Sequence, residues 1–210
     1  MLTVVGNLKG GTGKSTVAFN LAVWLAHDKS GVKAFDLDPQ CTLLDVNEVR
    51  IEDGYEPAFE VSTDLGELEA LAKDKKRKQP IIVDMSATNM FAMEKAISLA
   101  DRILIPVQPS QADIWSTQRF LKIVKNNINK QTTEVLGFIN RADTHIGVRE
   151  TAEAEQALEM MQGIKAIDIR LHQRTAYRRS FSEGLGVFEL DPMGKASSEM
   201  KKLADLLDKL

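Results

Sequence analysis

Lys9-Gly10-Gly11-Thr12-Gly13-Lys14-Ser15-Thr16 is the stretch whose reading decides the fold. Before it stands a short β-branched run, residues 2–5, and after it an apolar helical pattern carrying Val17, Leu21, Trp24 and Leu25. Strand, glycine loop and helix in that order predict a phosphate cradle. Gly10, Gly11 and Gly13 let the backbone take positive φ and approach an anion closely, so that successive N–H groups converge on it. The helix N-terminus adds unpaired N–H groups and partial positive charge. In such a loop Lys14 reaches the β- and γ-phosphates of a nucleotide and the Ser15 hydroxyl ligates Mg²⁺, with Thr12 and Thr16 completing the binding residues.

Working outward, β-branched runs at 2–5, 32–35, 81–83, 103–107, 135–139 and 166–169 read as strands, and stretches at 14–27, 65–75, 90–100, 114–127 and 149–161 read as helices. The alternation predicts an α/β fold, a mostly parallel sheet built by right-handed crossovers with helices on both faces. Ligands in such sheets sit beyond the carboxyl ends of the strands. No repeat, linker or composition break divides the chain, so residues 1–210 are expected to form one domain. The basic run at 73–78 reads as a solvated helix end before a buried strand.

Bulk composition limits the function classes. A net charge of -3 with 43% hydrophobic and 27% charged residues gives no global attraction to nucleic acid or anionic lipid, so any basic surface is local. Cys41 is the only cysteine, which excludes an internal disulfide and suits a cytoplasmic location; it is expected to be a small buried residue. There is no signal-peptide pattern and no apolar run approaching the roughly 18 residues of a membrane span.

Two acidic segments follow predicted strands. Asp36-Leu37-Asp38-Pro39-Gln40 ends the second, and Asp84 ends the run Pro80-Ile81-Ile82-Val83, where a carboxylate can reach Mg²⁺ directly or through water. Ser86 is assigned a loop role only.

The glycine loop departs from the general P-loop pattern: Leu8 stands where a glycine is usual, and Lys9 is a second lysine. Here the sequence resembles the deviant Walker A ATPases of the ParA/MinD group, with their signature KGGxGK[ST], over nearly the whole chain. The resemblance implies a SIMIBI-type P-loop NTPase using ATP and Mg²⁺, with weak intrinsic hydrolysis. It implies that Lys9 reaches across a dimer interface to the partner's nucleotide, much as an arginine finger does. It casts Asp36–Gln40 as the DxDPQ switch, Asp38 orienting the attacking water and holding the Mg²⁺ shell while Asp36 supports the loop. Asp84 resembles the Walker B carboxylate. The implied catalytic residues are Lys9, Lys14 and Asp38, and the implied metal ligands are Ser15, Asp38 and Asp84. Asn140 matches an adenine-contacting asparagine, and the absence of NKxD after it favours ATP over GTP.

Within the group, one cysteine excludes an iron–sulfur reductase, and only Tyr55 and Tyr177 are present where a tyrosine-rich tail would mark a kinase. The C-terminal stretch places Met200, Leu203, Ala204, Leu207 and Leu210 on one face, and its polar face mixes acids with lysines, which favours packing on the domain over a membrane surface. The resemblance is greatest to small ParA-type partition ATPases typified by ParF, and includes Ile105-Pro106-Val107-Gln108-Pro109-Ser110 and the stretch 173–188. It implies an ATP-bound homodimer, nonspecific DNA binding, nucleoid association, no membrane, and a ParB-like or cargo-adaptor partner that stimulates hydrolysis. Arg170, Arg174, Arg178 and Arg179 are the candidate DNA residues, a cationic stripe if helical. Arg119, Lys122 and Lys125, in an acid-free stretch at 114–133, are the second candidate surface. A MinD-like division regulator and an ATP-dependent small-molecule synthase of the same fold remain alternatives.

Overall fold

The computed structural model describes residues 1–28, 31–74, 76–129, 132–145 and 149–209. In chain order its elements are β1 (Leu2–Val5), α1 (Lys14–Ala26), β2 (Lys33–Asp36), α2 (Thr42–Glu52), β3 (Glu60–Ser62), α3 (Leu65–Lys73), β4 (Ile81–Asp84) and α4 (Met90–Leu99). There follow β5 (Arg102–Val107), α5 (Gln111–Asn127), β6 (Glu134–Ala142), α6 (Arg149–Glu159), β7 (Lys165–His172), α7 (Thr175–Ser182), α8 (Val187–Leu190) and α9 (Lys195–Lys209). The predicted helix end at Lys75, part of the basic run, lies outside the described residues, as do Leu210 and positions 130–131 of the acid-free stretch.

The seven strands form one sheet in the order β3-β2-β4-β1-β5-β6-β7, and every pairing is parallel. The mostly parallel sheet expected from the alternation is therefore wholly parallel. Strand pleating sends alternate side chains to opposite faces. Val5, Ala34, Ile82, Leu104 and Leu136 meet α1, α2, α8 and α9 on one side, while Val4, Phe35, Val83, Ile103 and Ile105 meet α3, α4, α5 and α6 on the other. β1 sits centrally because the chain first builds β2 and β3 to one side, inserts β4 against β1, and then crosses to β5. The loop after β1 thus opens where the two halves of the sheet diverge, the switch point at which such sheets bind ligands.

Among the elements not legible as apolar patterns are α2 and β3. On α2 the buried positions are Leu43, Val46, Asn47 and Arg50, a helical face half made of polar residues. Arg50 is fully buried, with its guanidinium on both Glu189 oxygens at 2.8 and 2.9 Å and on the carbonyl oxygens of Gly184 and Pro57. β3 is a three-residue edge strand, too short and polar to show a period. Cys41, expected to be buried, is partly exposed and takes a left-handed φ of 52° at the N-cap of α2. On α9, Met200, Leu203, Ala204 and Leu207 are buried in the core, so its apolar face is used internally. Among the described residues no helix is long and apolar enough to cross a membrane.

The Arg50–Glu189 pair predicts a specific asymmetry. Glu189→Ala strands a buried guanidinium and is expected to lower unfolding free energy by about 3–5 kcal/mol, whereas the double variant Arg50→Met, Glu189→Leu loses less. Urea unfolding checks it, and equal losses in the two variants would contradict the assignment.

Candidate functional site

Strand register delivers the acids. Val5 pairs with Asp84 and Asp84 with Asp36, so one row of three adjacent strands ends on the α1 face of the sheet. Asp36 is buried and its carboxylate accepts backbone N–H bonds from Asp38 at 3.1 Å, Leu43 at 2.8 Å and Leu44 at 3.1 Å. It therefore holds the turn and caps α2. Burial nevertheless raises its pKa above the ordinary carboxylate range, outweighing those bonds. Asp38 lies at the half-exposed end of this turn and accepts the Gln40 N–H at 3.0 Å.

The loop itself has the strained backbone that its glycines predict. Gly11 has φ 76° and Gly13 φ 87°, and a Cβ on Gly13 would come within 2.4 Å of the Asn140 amide nitrogen. Gly13 is the N-cap of α1, which has no side-chain cap and no acidic residue in its first turn, so its N–H groups are free for an anion. Three side chains from the far half of the sheet grip the loop's carbonyls. Gln108 donates to Gly11 at 2.6 Å, Arg141 donates to Gly11 at 2.7 Å, and Asn140 donates to Thr12 at 2.6 Å. Asn7, fully buried, donates to the Pro106 carbonyl and to Thr117.

Gly10, Gly11, Gly13, Lys14, Ser15, Thr16 and Asp38 line one cleft of about 310 Å³, with Ser86 and Thr88 opposite. A second cavity of about 200 Å³ adjoins it, bounded by Gly13, Thr16, Asn140, Gln173, Tyr177 and Arg178. Thr12 is fully buried beneath the loop and lines neither cavity, its hydroxyl without a hydrogen-bond partner. Ser86 bonds Thr88 at 2.5 Å, consistent with its loop role.

Lys14 and Asp84 form the electrostatic centre. Lys14 is buried and donates to the Lys9 carbonyl at 3.2 Å; burial lowers its pKa, against the pull of Asp84 and Asp38. Asp84 is wholly buried and neither of its oxygens has a partner of normal hydrogen-bond geometry. Burial pushes its pKa up to about 7, partly offset by Ser15 and Lys14 and reinforced by Asp36 and Asp38. Two orphaned carboxylate oxygens near a serine hydroxyl are a hard-oxygen donor set that suits Mg²⁺. Among the described residues no group of three His, Cys, Asp or Glu forms a metal site by itself, so the remaining ligands would come from phosphate and water.

Lys9 does not face the cleft of its own chain. Its ammonium contacts Asp113 at 2.5 Å, and Asp113, wholly buried at the start of α5, also accepts from Ser110 at 2.5 Å. The predicted arginine stripe is not one helical face. Arg170 lies in β7 and is paired with Glu155, Arg174 is the N-cap of α7 and meets Glu199 at 2.5 Å, and Arg179 meets Glu183 at 2.9 Å. Among the described residues only Arg178 of the four lacks an ion pair. Sequence reasoning missed Asn7, Asp113 and Arg141 as parts of the site; the one available signal was Asp113, an acid in the first turn of a helix beginning one strand end from the loop.

Sheet order, loop and acidic row together define a P-loop nucleotide-binding protein. The description "CobQ/CobB/MinD/ParA nucleotide binding domain" matches residues 3–188, and the chain belongs to that family. It is 25% identical over 202 residues to maintenance of carboxysome distribution protein A of Halothiobacillus neapolitanus, covering 93% of this chain and 90% of that protein. It is 26% identical over 192 residues to protein ParA of Rhizobium radiobacter, covering 87% and 83%. Its fold is similar to a Cyanothece McdA–ATP complex (TM-score 0.74, 18% identity, 99% and 96% covered). It is likewise similar to MinD of Aquifex aeolicus (TM-score 0.76, 18% identity, 100% and 97% covered).

The raised pKa of Asp84 gives a pH test on nucleotide- and metal-free protein. The folded chain keeps a proton that an unfolded aspartate releases, so this group's contribution to stability falls as pH rises from the ordinary aspartate value toward about 7, then levels off. Asp84→Asn abolishes that fall. Relative to wild type, the variant is expected to gain roughly 2–3 kcal/mol between about pH 5 and about pH 8 in urea unfolding. A difference independent of pH would remove Asp84 as the titrating group.

Proposed function

We propose that this chain, acting as one domain across residues 1–210, is a ParA-type ATPase that pairs around two ATP molecules, binds nonspecific DNA in that state, and hydrolyses ATP when a partner stimulates it. The cycle would segregate or position a cargo, as the names of its carboxysome-distribution and ParA relatives suggest. The observation that carries the reading is the pair of lysines. Lys14 lines the cleft with its ammonium on the Lys9 carbonyl, whereas the Lys9 side chain is 39% exposed and its ammonium is on Asp113. A lysine so placed has little use within one subunit and a clear use toward a facing one.

In this reading the N–H groups of residues 10–16 and Lys14 bind the phosphates, and the second cavity takes the base, with Asn140 at its wall. Asp38 orients the attacking water, for which positioning and charge stabilisation matter more than covalent chemistry. Ser15, Asp38 and Asp84 would hold Mg²⁺, which when bound neutralises phosphate charge. Lys9 from the facing subunit adds a cation at a desolvated interface. The internal use of the apolar face of α9 supports a cytoplasmic, nucleoid-associated cycle over a membrane-bound one. The partner is expected to be ParB-like or a cargo adaptor.

Lys9→Ala should keep the monomer's nucleotide affinity within about threefold, because Lys14 and the loop remain. The ATP-dependent dimer should weaken at least about thirtyfold, because the substitution removes a charge-assisted hydrogen bond from a desolvated interface. Sedimentation with a slowly hydrolysed ATP analogue, run beside nucleotide titration, decides it; a variant that still pairs normally would end the sandwich-dimer reading.

DNA contact is assigned to the region of Arg170, Arg174, Arg178 and Arg179. Phosphates would compete with Glu155, Glu199 and Glu183 for three of these, leaving Arg178 as the immediately available cation. Arg178→Ala with Arg179→Ala should weaken DNA binding of the analogue-loaded protein and reduce the slope of log affinity against log salt by about 2. An unchanged slope with nucleotide binding intact would move the DNA surface elsewhere.

A further inference from the structure

On the face opposite α1, α5 and α6 leave between them an open groove of about 940 Å³. Ile114 and Leu121 form part of its floor, and its lips carry Trp115, 55% exposed, and Met160, 84% exposed. An exposed tryptophan and methionine flanking one concave surface have the composition of a protein interface. Along the α5 lip run Arg119, Lys122 and Lys125, at spacings that keep them on one side of the helix. Among the described residues no carboxylate lines the groove, and none of these three cations has an ion pair. Several other cations of the chain are neutralised, Lys33, Lys95, Arg170, Arg174 and Arg179 each meeting a glutamate.

We propose that the α5/α6 groove docks an acidic amphipathic helix from a partner protein, its apolar side filling the cleft against Trp115 and Met160 and its carboxylates facing Arg119, Lys122 and Lys125. Charge complementarity selects the occupant, and the apolar lips select its class. Nucleic acid would satisfy the three cations through phosphate but would leave a groove walled by Ile114, Leu121 and Met160 without a use. The groove also has a route to the site. Trp115 is two residues beyond Asp113, which holds Lys9, so an occupant rests on the first turns of the helix that grips the second lysine. The inference rests on the proposed function only in supposing that a partner exists.

The test is direct binding to the full chain without nucleotide, which separates failure of the groove from failure of the ATPase reading. The probe is a labelled synthetic peptide of about 16 residues, long enough to span the groove as a helix, with leucine at i, i+3, i+4 and i+7 and glutamate elsewhere. Its controls are the same peptide with lysine for glutamate, a peptide of the same composition with the leucine spacing scrambled, and a duplex DNA. Anisotropy should show saturable binding of the acidic amphipathic peptide alone among the three peptides. Arg119→Glu with Lys122→Glu should weaken it at least about tenfold by reversing two facing charges, and Trp115→Ala at least about fivefold by removing the aromatic anchor. Nucleotide affinity should stay unchanged in both variants, which also verifies their folding. No saturable binding up to roughly 1 mM, or binding indifferent to both variants, would overturn the proposal. So would variants that lose duplex DNA binding while the peptide never binds, which would make the face a nucleic-acid surface.

Discussion

The structure depends on a charge problem under the glycine loop. A lysine ammonium and an aspartate carboxylate are held out of water at the junction of β1, β4 and α1, and neither is fully compensated by the chain. Lys14 has its ammonium on a single carbonyl, and Asp84 has two oxygens without a normal hydrogen bond. Burying such groups is unfavourable, and the chain expresses it as a lowered lysine pKa and a raised aspartate pKa. Phosphate is the complement of the first and a divalent cation of the second. A ligand that supplies these complements and binds the folded form would stabilise it by mass action.

Holding that arrangement requires both halves of the sheet. The half containing β2 and β4 contributes Asp36 and Asp84 through a shared register, and Asp36 commits its hydrogen bonds to the turn that presents Asp38. The half containing β5 and β6 contributes Gln108, Asn140 and Arg141, all donors to loop carbonyls. Those bonds occupy the Gly11 and Thr12 carbonyls and tie the loop to the β5–β6 side of the sheet. The central position of β1 lets one loop receive support from both directions.

The loop and the strand–helix alternation were legible because glycine spacing and apolar periodicity are local properties. What escaped the sequence depends on distant partners. α2 is hidden because Asn47 and Arg50 occupy core positions, and Arg50 is tolerable there only with Glu189, 139 residues away. The spacing of Arg170, Arg174 and Arg178 suits a helix, but parallel pairing with β6 claims Arg170 for a strand, and Glu155 on α6, Glu183 at the C-cap of α7 and Glu199 on α9 neutralise three of the region's guanidiniums. Asn140 is legible as the residue after the apolar run 135–139, although β6 runs through it to Ala142, and its bond to the Thr12 carbonyl joins residues 128 apart in the chain. Cys41 is less buried than its type suggests because side-chain type is a weak guide beside a turn whose geometry Asp36 dictates.

Lys9 shows how a loop residue can be made conditional. Its partner Asp113 is wholly buried and has one oxygen without a hydrogen bond, so removing the lysine leaves a carboxylate satisfied only by Ser110 and the helix N-terminus. Breaking a buried pair from one side costs on the order of a few kcal/mol, less here because Lys9 itself is partly solvated. The ion pair holds the lysine on α5, and only a stronger anion would displace it; in the proposed dimer, a polyphosphate on the facing subunit would be that anion. Anything that shifts the first turn of α5 alters the same balance. One ion pair thus joins the phosphate loop to the first turn of α5 and, through that helix, to its outer face.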